Sequence, residues 1–81
     1  MRKVLWTGMY RTHTPYTAPY PCRLVEVNGT MCQEIKWDGE DKPASMYPYR
    51  EFIDDALLGH LVGDPFPEVV KIQLAIEEIR R

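Results

Sequence analysis

Residues 22–37 decide the predicted fold, and they read Cys22-Arg23-Leu24-Val25-Glu26-Val27-Asn28-Gly29-Thr30-Met31-Cys32-Gln33-Glu34-Ile35-Lys36-Trp37. Two runs rich in β-forming residues flank Asn28-Gly29, which favours a two-residue hairpin turn because both residues tolerate positive φ. A type I′ turn places Arg23 opposite Glu34 as a cross-strand ion pair. It also separates the two cysteines onto opposite faces, whereas a three-residue loop with a bulge brings both onto one face. We favour the two-residue turn and expect free thiols.

In that register the hairpin carries apolar side chains on both faces. One face holds Cys22, Leu24, Met31, Ile35 and Trp37, and the other holds Val25, Val27 and Cys32. Residues 3–10 form a further short run of β-formers, so we expect a third strand there, with Gly8 at a bulge or at a close approach of two segments.

A change of period from residue 48 onward predicts two helices. Pro48 suits a first helical residue. The apolar positions that follow a 3.6-residue period are Phe52, Ile53, Ala56, Leu57 and Leu61. We expect this helix to stop at Gly63, with Gly59 marking an earlier end or a close helix crossing. A second helix is predicted from near Asp64-Pro65 or from Pro67 to the end. Its residues 70–76 also alternate like a strand, but an acidic start and a basic end fit a helix dipole.

The predicted fold class is α+β, a small antiparallel sheet (N-terminal strand plus Asn-Gly hairpin) packed by two C-terminal helices. One domain is expected over residues 1–81, β-rich over 3–37, with a Pro/Tyr loop at 10–21 and a helical part over 48–81. The composition, 44% apolar and 27% charged, is ordinary for a globular chain. Because so short a chain builds only a small core, we expect oligomerisation to add stability.

Charge and hydropathy narrow the classes of function. The net charge of −2 argues against nucleic-acid binding. Residues 1–36 carry five basic and two acidic side chains, whereas residues 37–81 carry five basic and ten acidic ones. That asymmetry suits either an anion bound by the first half or two ordinarily solvated surfaces. No apolar run is long enough for a membrane span or for a signal peptide, so we expect a cytoplasmic protein that does not bind membranes.

Catalytic and metal-binding motifs are not found in the sequence. It has no serine elbow, Walker loop, Gly-x-Gly-x-x-Gly or His-Glu-x-x-His motif. Zinc would need both cysteines together with His13 and His60, without a spacing that preorganises them. Asp54 and Asp55 point about 100° apart on a helix and so do not form a close carboxylate pair. We expect a non-enzymatic protein without cofactor or metal.

Two segments rich in tyrosine and arginine supply the predicted binding residues, one in the loop at 10–21 and one before the first helix. The predicted partner- or ligand-binding residues are Tyr10, Arg11, His13, Tyr16, Tyr20, Tyr47, Tyr49 and Arg50. Tyrosines with basic neighbours are typical of protein-binding loops and of sites that stack a base and hold a phosphate. Adjacent segments would form one tyrosine-lined groove. The alternative is that the tyrosines cover a small core while the prolines stiffen the loop.

The last helix carries a second apolar flank, formed by Val70 and Leu74, away from its main stripe. We expect this flank to be the interface of a homo-oligomer.

These features favour a binding protein over an enzyme. The leading hypothesis is an inhibitor or anti-defence protein that docks on a host protein. In size and composition the chain is similar to many small phage-encoded accessory proteins, an analogy that assigns no residue a role. The alternatives are a protein that sequesters a nucleotide-like anion in a tyrosine-lined groove and a structural, oligomer-forming subunit.

Overall fold

The computed structural model describes residues 2–11, 18–37 and 43–80. The elements in chain order are β1 (Arg2–Tyr10), β2 (Tyr20–Val27), β3 (Thr30–Trp37), β4 (Pro43–Pro48), α1 (Tyr49–Leu57), β5 (Leu61–Gly63) and α2 (Pro67–Ile79). The strands form one antiparallel sheet in the order β4-β3-β2-β1-β5. The predicted α+β class, with an N-terminal strand, the Asn-Gly hairpin and two helices, is confirmed.

The β2–β3 hairpin closes with the two-residue turn that the sequence favours. Val27 pairs with Thr30, and the turn residues Asn28 and Gly29 have φ of 51° and 82°. Positive φ at both central positions is the signature of a type I′ turn. Arg23 therefore lies opposite Glu34, and the predicted ion pair forms, with 2.7 Å between Arg23 Nε and Glu34 Oε1.

The same register puts the two cysteines on opposite faces of the sheet. Cys22 pairs with Ile35 and Cys32 pairs with Val25, and positions that directly oppose one another share a face. Both thiols are free. Burial raises the pKa of the Cys22 thiol to about 11, although a hydrogen bond from Gln33 acts in the opposite direction.

The sheet has two edge strands that the sequence analysis missed, β4 and β5. We expected a tyrosine-rich segment, and no strand, before the first helix. Instead β4 pairs with β3. Both ends of β4 are prolines, Pro43 and Pro48. A proline lacks a backbone N–H and so cannot donate to a neighbouring strand. At the edge of a sheet a strand has a neighbour on one side only, so a proline whose nitrogen faces solvent loses no hydrogen bond.

The first helix is shorter than predicted. It ends at Leu57, and Gly59 then adopts φ 83°, the left-handed conformation that terminates helices. Leu61, expected on the helical stripe, lies in β5 and pairs with Tyr10. The expected stop at Gly63 is therefore wrong, since that residue is also part of β5, and the alternative of an earlier end at Gly59 is the correct one.

Gly8 lies where β1 and β5 approach each other closely. A Cβ atom there would lie 2.3 Å from the Val62 carbonyl oxygen and 2.4 Å from the Trp6 ring. The register irregularity of β1 falls instead between Val4 and Trp6. Of the two roles considered for Gly8, the close approach is therefore the correct one.

The helices pack on one face of the sheet around Phe52. Its ring meets Trp6 edge-on at 5.3 Å and Phe66 edge-on at 5.4 Å between centroids, and it stacks on Tyr49 at 6.2 Å. The Trp6 indole donates to the Asp64 carbonyl at 2.7 Å. The buried core consists of Trp6, Cys22, Leu24, Ile35, Phe52 and Val69.

The second helix buries only its first turns. Val69 is in the core, but every position of α2 from Gln73 onward is exposed. The exposed apolar side chains include Leu74 at 58% and Ile79 at 84%. Within the described ranges, neither helix has the length and apolar character that crossing a bilayer requires.

Candidate functional site

The candidate site is an open groove of about 300 Å³ on the face of the sheet that bears the helices. We call it the tyrosine groove. It is lined by Tyr10, Tyr20, Ile35, Lys36, Ser45, Tyr47, Glu51 and Asp55. These residues come from four strands and one helix, so the groove exists only in the folded chain.

Strand register brings the three tyrosines together. Tyr10 and Tyr20 are direct partners at the ends of β1 and β2, and directly opposed residues in an antiparallel pair share a face. Tyr47 reaches the same face from β4, where it lies opposite Gln33. Three phenol rings distant in sequence therefore border one groove.

Helix α1 forms the acidic wall of the groove. Glu51 and Asp55 are four residues apart, so both lie on the same side of the helix. Burial raises the pKa of the Asp55 carboxyl, and the neighbouring carboxylates of Glu51 and Asp54 act in the same direction. A hydrogen bond from Gln33 and the charge of His60 act against this shift.

The same surroundings raise the pKa of the Tyr10 hydroxyl. Burial is the main cause that raises the pKa of Tyr10, and the nearby Asp55 carboxylate adds to it. The phenol therefore remains a neutral hydrogen-bond donor throughout the physiological range. On its other side Tyr10 contacts His60, with ring centroids 5.9 Å apart. The Arg11 amide donates to the His60 carbonyl at 2.7 Å, which ties the end of β1 to the segment after α1.

Lys36 is the basic residue among the described side chains that line the groove. Its ammonium lies 4.1 Å from the centroid of the Tyr20 ring, within the range of a cation–π interaction. Its backbone has φ 61°, a left-handed conformation that is uncommon for a residue with a long side chain. The chain thus keeps an ammonium group over a tyrosine face at the end of β3.

The structure brings together some of the predicted binding residues and separates others. Tyr10, Tyr20 and Tyr47 line the groove. Tyr49 belongs to the other side of α1, where it stacks on Phe52. Arg11 and Arg50 are exposed and are not among the groove-lining residues. His13 and Tyr16 lie outside the described residues.

Sequence reasoning missed the charged part of the groove. It did not include Glu51 among the binding residues, and it rejected Asp55 as half of a pair with Asp54. The available signal was the spacing of Glu51 and Asp55, which are four residues apart and so lie on one side of a helix. Lys36 carried no local signal, because its position depends on the left-handed backbone at the end of β3.

A second cavity of about 230 Å³ lies between α1, α2 and the sheet. Its walls include core side chains such as Trp6, Phe52 and Phe66, so it marks loose packing beneath α2. Among the described residues no group of three or more His, Cys, Asp and Glu side chains is placed to hold a metal ion.

The chain has also been compared with protein-family models, curated proteins and solved structures. None of the three comparisons returns a match.

Proposed function

We propose that this chain is a small non-enzymatic binding protein, acting in the cytoplasm as an inhibitor or adaptor, whose tyrosine groove docks on a protein partner. The observation that carries the proposal is the convergence of Tyr10, Tyr20 and Tyr47 in one open groove. Tyrosine gives large, rigid contact area with a polar tip and is enriched at the energetic centres of protein interfaces.

The charges of the groove favour a protein partner over a nucleotide-like anion. Among the described residues, the charged side chains that line the groove are Glu51, Asp55 and Lys36, and Arg11 and Arg50 are not among them. An anionic ligand would meet two carboxylates at short range, and like charges held close together repel. A protein surface with basic side chains meets complementary charge.

The test is affinity capture from extract of the source cells with immobilised wild-type protein and two variants. Tyr47→Ala removes a groove wall. Met46→Ala is the matched control, because Met46 is the preceding β4 residue, is 57% exposed and points to the opposite face of the sheet. We expect the wild type and Met46→Ala to retain the same protein and Tyr47→Ala to lose it. Equal retention by a folded Tyr47→Ala variant would show that the partner does not use the groove.

A second candidate function, an oligomer-forming subunit, is supported by exposed apolar side chains of α2. Val70 and Leu74 are 37% and 58% exposed and lie on one side of the helix, away from Val69 in the core. Two apolar residues one turn apart suit a helix-to-helix contact with a second copy. The measurement is mass in solution by light scattering over a concentration series. We expect Leu74→Lys to be monomeric, and Ala75→Lys, an exposed neighbour, to associate like the wild type.

A further inference from the structure

The described residues give the tyrosine groove a net negative lining. Glu51 and Asp55 contribute two carboxylates and Lys36 one ammonium group. The cost of holding Asp55 ionised in a partly buried place falls when a cation enters, because an opposite charge within about 4–6 Å favours the charged form. The groove therefore gains more from a positively charged occupant than from a neutral or negative one.

The Lys36–Tyr20 contact is independent evidence for a cation. The ammonium of Lys36 lies 4.1 Å from the Tyr20 ring centroid, so one aromatic face of the groove already interacts with a positive charge. The Lys36 side chain is exposed, and a lysine on a flexible four-carbon stem moves aside easily. An incoming cation can take its place on the ring.

We propose that the groove receives an arginine side chain of the protein partner, and that Lys36 occupies its position in the free protein. This inference rests on the proposed function. A guanidinium stacks flat on a tyrosine ring and presents a fork of N–H donors that matches a carboxylate. In the groove the ring is that of Tyr20 or Tyr47, and the carboxylates are those of Glu51 and Asp55.

The probe for this inference is N-acetyl-arginine methylamide, titrated into isotope-labelled protein and followed by NMR. The control ligand is the citrulline analogue, which has nearly the same shape but a neutral urea group. We expect the arginine compound to shift the signals of the groove tyrosines and of α1, and the citrulline compound to bind about tenfold more weakly, because it forms no charge-assisted hydrogen bonds. Equal affinities would overturn the inference.

Lys36→Met is the most discriminating variant, because a groove that binds a cation and a groove that binds an anion predict opposite changes in affinity. Removal of the resident ammonium frees the Tyr20 face and lowers repulsion, so the arginine probe binds about two- to fivefold more tightly, the range of one exposed cation–π contact. An anion-binding groove would instead lose affinity for inorganic phosphate in this variant. Glu51→Gln should weaken binding of the arginine probe. Tighter arginine binding in Lys36→Met supports the inference, and weaker or unchanged binding contradicts it.

The outcomes separate this inference from the proposed function. If Tyr47→Ala abolishes capture of the partner but the arginine probe fails to bind, the groove docks a protein without receiving a cation, and only the inference is wrong. If Tyr47→Ala leaves capture intact, the proposed function is wrong whatever the probe does. Binding of the probe together with loss of capture in Glu51→Gln supports both.

Discussion

Glu34 accepts a hydrogen bond from Arg23 at 2.7 Å between Oε1 and Nε across the β2–β3 pair, with both side chains buried. Arg2 forms a second ion pair with the same carboxylate. This cluster lies on the face of the sheet opposite the core face, because Arg23 and Glu34 alternate with Cys22 and Ile35 along their strands. The ion pair that the sequence predicted from one turn is therefore a buried part of the fold.

Replacement of Glu34 by Ala should destabilise the protein strongly. The substitution removes the carboxylate partner of a buried arginine, and breaking such a pair costs about 3–5 kcal/mol. The measurement is the free energy of unfolding from urea titration. Glu26→Ala is the control, because Glu26 lies on the same hairpin, is only half-buried and is not in this cluster. It should change stability by no more than about 1 kcal/mol, the centre of the range for single substitutions. A loss below about 1 kcal/mol in Glu34→Ala would contradict a buried cluster, since even one charged hydrogen bond contributes more than that.

Gly8→Ala should weaken the contact between β1 and β5. The added methyl group would lie 2.3 Å from the Val62 carbonyl oxygen, and backbone at that distance has to move. Overpacking of this kind costs about 1–3 kcal/mol. Hydrogen exchange of the β5 amides, measured by NMR, should accelerate in the variant. Thr7→Ala, the exposed neighbour, should leave that exchange unchanged. Protected β5 amides in Gly8→Ala would show that the two strands are not held as described.

Lys36→Gly should make the protein more stable. Lys36 has φ 61°, and the left-handed conformation costs a residue with a side chain about 1–2 kcal/mol relative to glycine. Loss of the Tyr20 contact offsets part of the gain, about 0.5–1 kcal/mol for an exposed cation–π pair. We expect a net increase of up to about 1.5 kcal/mol in the free energy of unfolding, by the difference of these two effects. Gly29, also at positive φ, supplies the control, because Gly29→Ala should destabilise. A loss of stability in Lys36→Gly would show that residue 36 is not strained.

The carboxyl group of Asp55 should make the free energy of unfolding decrease as the pH rises. Burial raises its pKa in the folded protein above 3.8, so the folded state favours the protonated carboxyl. Below pH 3.8 the group is protonated in both states and carries no penalty, and the penalty develops as the pH passes through the raised pKa. Asp55→Asn removes it. We expect this variant to be more stable than the wild type at pH 7, with the difference shrinking toward pH 3. The pKa of Asp55 is also affected by the hydrogen bond from Gln33, by the nearby carboxylates of Glu51 and Asp54, and by His60.

Urea titrations of the wild type and of Asp55→Asn at both pH values measure that difference directly. Other carboxylates change both proteins equally, so only the comparison reports on residue 55. Asp54→Asn is the matched control, because Asp54 is exposed and adjacent in the chain. A constant difference between the wild type and Asp55→Asn over this pH range would contradict the assignment.

The parts of the fold that local chemistry determines were predictable from the sequence. The turn at Asn28-Gly29 needs only two residues with positive φ, and the register of the hairpin then places Arg23 opposite Glu34. The two edge strands were not predictable in this way. Pro43 and Pro48 argue locally against a strand, and only the position of β4 at the sheet edge makes them acceptable. Leu61 fits the helical period, but the left-handed Gly59 ends the helix before it.

The candidate site was predictable in its aromatic part only. The sequence nominated Tyr10, Tyr20 and Tyr47 by composition, and strand pairing places them in one groove. Tyr49 follows Tyr47 by two residues, and the start of α1 between them turns its ring into the core. Composition does not say which side of a helix faces a groove, so the carboxylates of α1 were not included.

The most direct test of the tyrosine groove as a docking site is photocrosslinking in the source cells. A benzoylphenylalanine replaces either Tyr47, which lines the groove, or Met46, which points to the opposite face of β4. Docking through the groove predicts one protein crosslinked strongly at position 47 and weakly or not at all at position 46. Crosslinking to the same protein at both positions with equal yield, or at position 46 alone, would contradict the groove as the docking site.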